Sequence, residues 1–379
     1  MKRIYLDSAS ASIPSKKAVA AYTRAARVFG NPSSPHEEGR KARAILEEAR
    51  RVVAAEVGAK PEAILFTAGA TEANGIAIRG HVKALLTSGK KPSGIHLLYL
   101  PSAHASTVEA MEALKSEGVD VEPLVLRDGG IDLHAVKTQL KPTTALVVVE
   151  AVCGETGTRF DTRGLRQVIG SSVRMLVDAS QAPLVESVER TRLAADMITL
   201  DAAKIGSVRG VGVLVAPVPV PLLPVIEGGG QERDIRSGTQ TPALAAAFAI
   251  AMTEAHVNRD AFRTRAEKMR EIFLAKLPDA VVNGKNQAPH IINLSLPGVD
   301  TEYLAALLDE EGIAVSTRSA CETDSGKSRA VFALTGDEAR ARSTLRISLG
   351  VGTTERDLMA LHKALVRNLA FLSESSRAE

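Results

Sequence analysis

The chain has 379 residues, which is enough for one large domain and a smaller second one. Apolar residues make up 45% of the chain and charged residues 24%, so we expect a globular fold with a sizeable core rather than disorder. A net charge of +3 argues against a nucleic-acid-binding protein, and a total of two cysteines argues against a disulfide framework and favours a reducing, cytoplasmic location.

From about residue 60, short apolar runs of the β type alternate with amphipathic helical stretches. Nearly continuous apolar runs predict strands that are buried on both faces, as in a mostly parallel sheet. The alternation predicts a doubly wound α/β domain. Its predicted strands are residues 63–67, 96–100, 121–125, 145–149, 174–177, 197–200 and 211–215, and helices are predicted at 71–86 and 106–117.

The pattern changes after residue 240. Two predicted helices, 241–257 and 260–277, precede an α+β unit with predicted strands at 291–296, 313–316 and 344–348 and helices at 302–308 and 355–372. We expect the first residues of the chain to pack with this unit. The prediction is therefore a large domain of residues 15–258 and a small domain of residues 1–14 and 259–379.

The most apolar run, Val211 to Ile226, contains four prolines. Proline interrupts helical hydrogen bonding, so this run is predicted to be a strand and an extended connection rather than a membrane span. The N-terminal residues also lack the apolar stretch of a signal peptide. We predict no membrane association and no metal site.

Polar residues follow two neighbouring apolar runs in the middle of the chain. Asp178 and Gln181 follow the run ending at Val177, and Lys204 follows the run ending at Leu200. A lysine can form a Schiff base with the aldehyde of pyridoxal 5′-phosphate (PLP), and a carboxylate can keep the pyridine nitrogen protonated so that the ring acts as an electron sink. The residues therefore suit a PLP site, although a strand-end aspartate and a loop lysine are also common in other α/β proteins.

A strand, a small-residue turn and a helix start lie between Phe66 and Asn74. The free N–H groups of a helix N terminus, with the hydroxyl of Thr71, suit a phosphate, and the alternative is that Thr71 only caps the helix. His104 follows the next predicted strand, where ligands bind in open α/β sheets. Its imidazole can stack on a ring or move protons, and a structural histidine is the alternative.

Three further segments place polar groups where they suit a ligand. Residues 228–239 are rich in glycine and charge, which suits either a loop that approaches a ligand or another subunit, or a plain surface loop. Cys321 stands in a polar segment beside Arg318, which favours a reactive thiolate over a buried structural thiol. Arg346 lies among apolar strand residues and needs an anionic partner, either a substrate carboxylate or a structural acidic residue.

Together these motifs resemble the cysteine desulfurases, which are class V aminotransferase-like enzymes of PLP fold type I. The resemblance covers nearly the whole chain and keeps the family order. It rests on Tyr5-Leu6-Asp7-Ser8-Ala9, Phe29-Gly30-Asn31-Pro32-Ser33-Ser34, Gly69-Ala70-Thr71-Glu72, His104, Asp178-Ala179-Ser180-Gln181, Lys204, Gly228-Gly229-Gly230-Gln231-Glu232-Arg233, Arg236-Ser237-Gly238-Thr239, Ser319-Ala320-Cys321 and Arg346-Ile347-Ser348-Leu349-Gly350.

The resemblance implies a fold-type I transferase with a seven-stranded sheet in its large domain and a small C-terminal α+β domain. For the cofactor, it implies PLP held as a covalent aldimine on Lys204, which also shuttles protons. The other implied contacts are Ala70 and Thr71 at the phosphate, Asp178 at the pyridinium nitrogen, Gln181 at the phenolic oxygen, His104 stacked on the ring, and Thr239 reaching over from the second subunit of a homodimer.

For the reaction, the resemblance implies that Arg346 binds the carboxylate of L-cysteine and that Asn31 belongs to the substrate site. Cys321 then takes the sulfur, which leaves L-alanine and an enzyme persulfide. The spacing between Cys321 and Arg346 resembles that of the long-loop group, whose persulfide can travel to an acceptor or an iron–sulfur scaffold protein.

Three positions depart from the family pattern. Asp201 and Ala203 stand where the family has phosphate-binding Ser and His, so Asp201 is expected to lie at the cofactor and to repel a phosphate dianion unless it is protonated, turned away or bridged. Gly154 replaces an Asn that contacts the cofactor, and Arg318 replaces a small residue. We expect weaker PLP retention than in a typical member, because each lost hydrogen bond to a charged group costs about 1.5–3 kcal/mol.

The sequence thus favours a cysteine desulfurase that supplies sulfur for iron–sulfur clusters or tRNA thiolation. Two alternatives stay open, namely a relative acting on selenocysteine or as an aminotransferase, and a degenerate, non-catalytic scaffold. The presence of Cys321 favours sulfur transfer, whereas the substitutions near Lys204 favour the scaffold.

Overall fold

The computed structural model describes residues 3–278, 280–317 and 326–378. Its strands, in chain order, are β1 Ile4–Tyr5, β2 Ile64–Thr67, β3 His96–Tyr99, β4 Asp120–Pro123, β5 Leu126–Arg127, β6 Gly130–Ile131, β7 Thr144–Glu150, β8 Arg174–Asp178, β9 Met197–Asp201, β10 Gly212–Val215, β11 Val281–Val282, β12 Ile291–Ser295, β13 Ile313–Ala314 and β14 Thr344–Ser348. Its α-helices are α1 Lys16–Ala26, α2 Glu37–Glu56, α3 Ala70–Thr87, α4 Ala105–Ser116, α5 Leu133–Gln139, α6 Thr162–Ile169, α7 Arg190–Leu193, α8 Pro242–Leu274, α9 Thr301–Glu310, α10 Arg329–Thr335, α11 Glu338–Arg342 and α12 Glu355–Ala378.

The large sheet contains the strands that the apolar runs predicted. Its order is β2-β10-β9-β8-β7-β3-β4, and only β10 runs antiparallel to its neighbours. The α/β class and the seven-stranded, mostly parallel sheet are therefore confirmed. Strands such as β3 and β10 are buried along their whole length, because helices cover both faces of the sheet.

The direction of the strands decides where polar side chains collect. The strands β2, β3, β7, β8 and β9 run parallel, so their carboxyl ends lie at one edge of the sheet. The residues that follow those ends are brought together there, which is where ligands bind in open α/β sheets.

A smaller unit combines both ends of the chain. Strands β11, β12 and β14 form an antiparallel sheet, and β1 pairs in parallel with β13. A bridge between Asp7 and Ser348 continues this contact, so the N-terminal segment packs with the C-terminal unit.

The prediction of two separate helices after residue 240 is wrong. A single helix, α8, runs from Pro242 to Leu274, with proline in its first turn. Residues 243–274 contain no Gly or Pro, and Asn258 and Asp260 lower helix propensity too little to end a helix that packs on α1, α2 and α12. Residues 258 and 259, between which the two predicted domains meet, both lie within this continuous helix.

No helix in the described ranges combines the length and the apolar character that a membrane crossing requires.

Candidate active site

A cavity of about 290 Å³ lies at the carboxyl edge of the large sheet. Side chains from the strand ends, the start of α3, the N-terminal segment and the C-terminal unit surround it. Its lining residues are Ala9, Ser10, Ala70, Thr71, Ser102, Ala103, His104, Glu150, Val152, Cys153, Gly154, Glu155, Asp178, Ser180, Gln181, Asp201, Lys204, Arg329, Ala330 and Arg346.

Lys204 follows β9 in a single 3-10 turn, Ala202–Lys204. Its Nζ donates a hydrogen bond to the backbone oxygen of Ser10, at 2.6 Å. Ser12 bonds the same turn from the N-terminal segment, through its Oγ to the Lys204 carbonyl at 2.8 Å. Burial lowers the pKa of Lys204, and the Asp201 carboxylate opposes that effect. The amine is therefore closer to its neutral, nucleophilic form than a solvated lysine would be.

Asp178 ends β8 and is held from two sides. Its Oδ2 accepts from Asn74 Nδ2 at 2.8 Å, and its Oδ1 accepts from the backbone N–H of Ser180 at 2.9 Å. Asn74, which is fully buried on α3, is itself oriented because its Oδ1 accepts from the Thr199 hydroxyl at 2.8 Å. The chain Thr199–Asn74–Asp178 thus fixes a buried carboxylate that lines the Lys204 cavity.

His104 is the N-cap of α4. Its Nδ1 accepts from the backbone N–H of Ser106, at 3.2 Å, so this bond assigns the ring proton of a neutral imidazole to Nε2. Burial lowers the pKa of His104, so the ring is neutral at pH 7. A neutral ring at the cavity wall suits stacking and hydrogen-bond donation.

Glu150 is a second buried carboxyl group at this edge, and the sequence analysis did not propose it. One oxygen, Oε1, accepts from the backbone N–H of His104 at 2.7 Å. The other, Oε2, is buried and has no hydrogen-bond partner among the described residues. Burial, and next the Asp178 carboxylate, raise the pKa of Glu150 to about 8, so it is mostly protonated at pH 7.

Gln181 and Gly154 lie against each other. Gln181 Nε2 donates to the backbone oxygen of Ala9 at 2.9 Å, and a Cβ built on Gly154 would lie 3.2 Å from that Nε2. A side chain at position 154 would therefore press on Gln181. Gly154, which stands where the cysteine desulfurases have Asn, allows Gln181 to approach the backbone at this position closely.

Arg346 is buried in β14 and already has an acidic partner. Its guanidinium donates to Asp7 Oδ1 at 2.9 Å and to the Gly154 carbonyl at 3.0 Å. The structural ion pair, which was one of the two alternatives for Arg346, is present. Its Nε is buried and has no hydrogen-bond partner among the described residues.

Asp201 points at the place predicted for a phosphate. Its Oδ2 accepts from the backbone N–H of Ala70, at the start of α3, at 2.9 Å. Its Oδ1 accepts from the backbone N–H of Ala203 at 2.8 Å. The carboxylate thus joins the N terminus of α3 to the turn that carries Lys204.

A larger cavity of about 890 Å³ lies elsewhere and contains none of the candidate residues. Six arginines line it, and three of them are paired, Arg127 with Asp132 at 3.0 Å, Arg159 with Glu186 at 2.6 Å and Arg263 with Asp260 at 2.9 Å. We place the active site in the smaller cavity because its chemistry, and not its volume, matches the sequence motifs.

One group of metal-type side chains, His96, Asp120 and Glu122, converges in the described part of the chain. The Lys141 ammonium lies between the two carboxylates, 2.7 Å from Asp120 and in direct contact with Glu122. That cation already balances the acidic pair.

Comparison with known proteins decides the family. The class V aminotransferase family model matches residues 4–361. The chain belongs to the class V aminotransferase family. A cysteine desulfurase IscS of Dictyoglomus turgidum is 33% identical over 370 residues, which cover 94% of this chain and 92% of that relative. The resemblance to the cysteine desulfurases is therefore confirmed.

Solved structures agree with this class V aminotransferase assignment. A NifS-like protein matches with a TM-score of 0.90 at 27% identity, covering 98% of this chain and 100% of that one. A structure described as SspA in complex with cysteine matches with a TM-score of 0.78 at 26% identity, covering 91% and 98%. The fold-type I assignment is confirmed, and PLP is the cofactor of this family of enzymes.

The cavity fits the two ends of PLP unequally. The amine of the half-buried Lys204, an oriented carboxylate and a neutral imidazole share the cavity, as the ring and aldehyde of PLP require. At the other end, the Ala70 N–H that would bind the phosphate is already bonded to Asp201. The residues thus fit the pyridoxal ring, and Asp201 competes for the phosphate position.

Most of the predicted site residues of this class V chain come together, and a few do not. Ala70, Thr71, His104, Asp178, Gln181, Asp201, Lys204 and Arg346 line one cavity. Thr239 and Asn31 are exposed and line a separate cavity of about 320 Å³, so one chain does not bring them to Lys204. Cys321 lies outside the described residues, and so does Arg318.

The sequence analysis missed Asn74 and Glu150. Glu150 ends the apolar run 145–149, which is the same signal that drew attention to Asp178. Asn74 stands one helical turn after Ala70, on the face that looks at the sheet, and a polar residue among buried positions of α3 was the available clue.

Proposed function

We propose that this chain is a PLP-dependent cysteine desulfurase, which converts L-cysteine to L-alanine and places the sulfur on Cys321 as a persulfide. One observation carries the proposal: the half-buried Lys204 shares one cavity with the oriented carboxylate of Asp178 and the neutral ring of His104. Curated relatives at 33% identity are named cysteine desulfurases, and one similar structure was described in complex with cysteine.

The roles of the cofactor residues follow from their surroundings. When bound, PLP supplies an electron sink conjugated to the substrate amine. Lys204, whose pKa burial lowers, would bind the aldehyde and would move a proton at the substrate Cα. Asp178 keeps the proton on the pyridine nitrogen, and Asn74 orients that carboxylate. His104 would cover the ring, and Gln181, whose Nε2 already donates to the Ala9 carbonyl, would use its second N–H for the phenolic oxygen.

Arg346 orients the substrate through its α-carboxylate. A carboxylate that binds there must share the guanidinium with Asp7, which already accepts from it at 2.9 Å. Sharing limits the strength of this contact. It supports the role of Arg346 as a positioning group for small amino acids.

The sulfur transfer itself falls to Cys321. Its thiolate attacks the substrate sulfur, the carbon–sulfur bond breaks, and a proton replaces the sulfur on the substrate, so that L-alanine and a Cys321 persulfide result. The persulfide then serves a sulfur-acceptor or iron–sulfur scaffold protein. We further propose a homodimer in the cytoplasm, in which the partner subunit supplies Thr239, since this residue is exposed and lies away from its own chain's site.

A second candidate function is a non-catalytic scaffold. The observation that favours it is the Asp201 carboxylate bonded to Ala70, because it stands in the way of the cofactor phosphate. The hydrogen bonds that orient Lys204 and the buried Asp178 favour the enzyme.

The test is a turnover assay with purified protein, added PLP, L-cysteine and a thiol reductant. We expect alanine and sulfide in equal amounts from the wild type, no alanine from Lys204→Ala, and no persulfide from Cys321→Ala. Alanine formation no faster in the wild type than in Lys204→Ala would overturn the desulfurase and favour the scaffold.

A further inference from the structure

Asp201 forms a bridge that satisfies donors on two elements at once. Helix α3 has 18 residues and begins after Gly69, whose position offers no side-chain cap. A helix start of this kind carries free N–H groups and a partial positive charge, which attract an anion. The Asp201 carboxylate already accepts from the first of these groups, on Ala70, and from Ala203 in the lysine turn.

The space behind this bridge is closed. A Cβ built on Gly212 of β10 would lie 2.5 Å from the Gly69 backbone carbon, so the strand packs directly against the start of α3. A Cβ on Gly69 would lie 3.3 Å from Asp201 Oδ2, so the carboxylate itself is in contact with the turn. A phosphate cannot reach the Ala70 N–H from behind, so a phosphate that bonds to this group must take the place of the Asp201 oxygen.

Arg236, which binds the first turn of α3, does not relieve this conflict. Arg236 donates to Glu72, in the first turn of α3, at 2.9 Å. Ala203, in the turn beside Lys204, adds no polar side chain. A phosphate that bonds to the Ala70 N–H would therefore have to displace the Asp201 carboxylate. The Arg236 guanidinium is already bound to the Glu72 carboxylate.

We propose that Asp201 is a resident anion that takes the place of the cofactor phosphate, so that this site distinguishes only weakly between PLP and its non-phosphorylated form, pyridoxal. The proposal rests on the PLP site of the proposed function. Pyridoxal leaves the bridge from Asp201 to Ala70 and Ala203 intact, whereas PLP must break it and then lie beside a like charge. Asp201 is thus a specificity-determining residue for the phosphate end of the cofactor.

The experiment measures dissociation constants of PLP and of pyridoxal by equilibrium dialysis, for the wild type, Asp201→Asn and Asp201→Ser. Because the hydroxymethyl group of pyridoxal closes on its own aldehyde in solution, the readout is the change in the PLP-to-pyridoxal ratio between variants. We expect both variants to tighten PLP binding by at least about tenfold, since phosphate gains a charge-assisted bond to Ala70. The dissociation constant of pyridoxal should change by less than about threefold, which is less than the gain or loss of one such hydrogen bond would cause.

The pyridoxal measurement also separates the effect of Asp201 on phosphate binding from its effect on the Lys204 amine. Asp201 raises the pKa of the Lys204 amine, so its neutralisation alters covalent capture of both ligands to the same extent. The matched control is Asp300→Asn, which removes the same charge from the N-terminal amides of α9, outside the cavity. It should leave the ratio unchanged, and far-ultraviolet circular dichroism checks that each variant is folded.

A ratio that is the same in wild type, Asp201→Asn and Asp201→Ser would overturn the proposal, and so would equal tightening of both ligands. Failure of every folded variant to bind either ligand would overturn it as well. A wild type that binds both ligands but forms no alanine from L-cysteine would sink the desulfurase alone. A ratio that shifts in the Asp201 variants would still support the proposal in that case.

Discussion

Glu232→Gln is expected to lower the free energy of unfolding by about 3–5 kcal/mol, because it removes the buried countercharge of the Arg50 guanidinium and leaves it only the exposed Glu47 carboxylate, 3.2 Å away. The two side chains form a bidentate pair with both N–O distances at 2.8 Å, and Glu232 is fully buried. Glu232 Oε2 also accepts from the backbone N–H of Phe66 at 2.8 Å. The pair therefore joins α2, β2 and the glycine-rich segment 228–239.

The backbone around Glu232 explains why this segment depends on the pair. Glu232, Arg233 and Asp234 have φ values of 46°, 62° and 60°, which are left-handed conformations that non-glycine residues rarely adopt. Each such residue costs roughly 1–2 kcal/mol, so the turn needs a strong anchor. We expect Glu232→Gln to speed amide exchange across residues 228–239 more than elsewhere.

Urea denaturation of the wild type, Glu232→Gln and Glu48→Gln measures this effect. Glu48 pairs with Arg51 on the exposed face of the same helix, so its loss should cost no more than about 1 kcal/mol. The double variant Arg50→Met, Glu232→Met removes both charges and should recover part of the stability. Equal losses for Glu232→Gln and Glu48→Gln would contradict the anchoring role.

Glu150→Gln is expected to abolish a steep pH dependence of stability. The pKa of Glu150 is raised from 4.5 to about 8 by burial and by Asp178, so the folded chain keeps this proton between those pH values while the unfolded chain loses it. The folded state then binds more protons than the unfolded state. The contribution of Glu150 to the free energy of unfolding is therefore fully present below pH 4.5 and is lost as the pH rises towards 8. The loss amounts to about 1.4 kcal/mol per pH unit, and on the order of 4 kcal/mol in total.

Glutamine keeps the oxygen that accepts from the His104 N–H but has no proton to lose. Denaturation midpoints at pH 5.5 and pH 8, without added cofactor, should therefore differ much less in Glu150→Gln than in the wild type. Glu267→Gln, an exposed substitution on α8, controls for the other titrating groups. Parallel pH profiles for the wild type and Glu150→Gln would show that Glu150 is ionised in the folded chain.

Local pattern was sufficient for the seven strands of the large sheet and for helices α3 and α4, whereas α1 and α2 were not predicted. Buried parallel strands must be apolar on both faces, so runs such as 174–177 and 197–200 can be recognised as strands without any knowledge of the fold. The same local rule failed at α8, where a polar stretch at 258–260 suggested a break. Packing against α1, α2 and α12 outweighs the small propensity cost there.

The sequence alone was enough to identify the candidate reactive groups, because Asp178 and Lys204 could be recognised as a carboxylate and an amine that follow predicted strands. Only the tertiary structure decided how those groups are used. The bonds from Asn74 to Asp178, from Asp7 to Arg346 and from Asp201 to Ala70 join residues at least 104 positions apart. Such contacts depend on strand order and direction, which bring distant segments to one edge of the sheet and which no local pattern specifies.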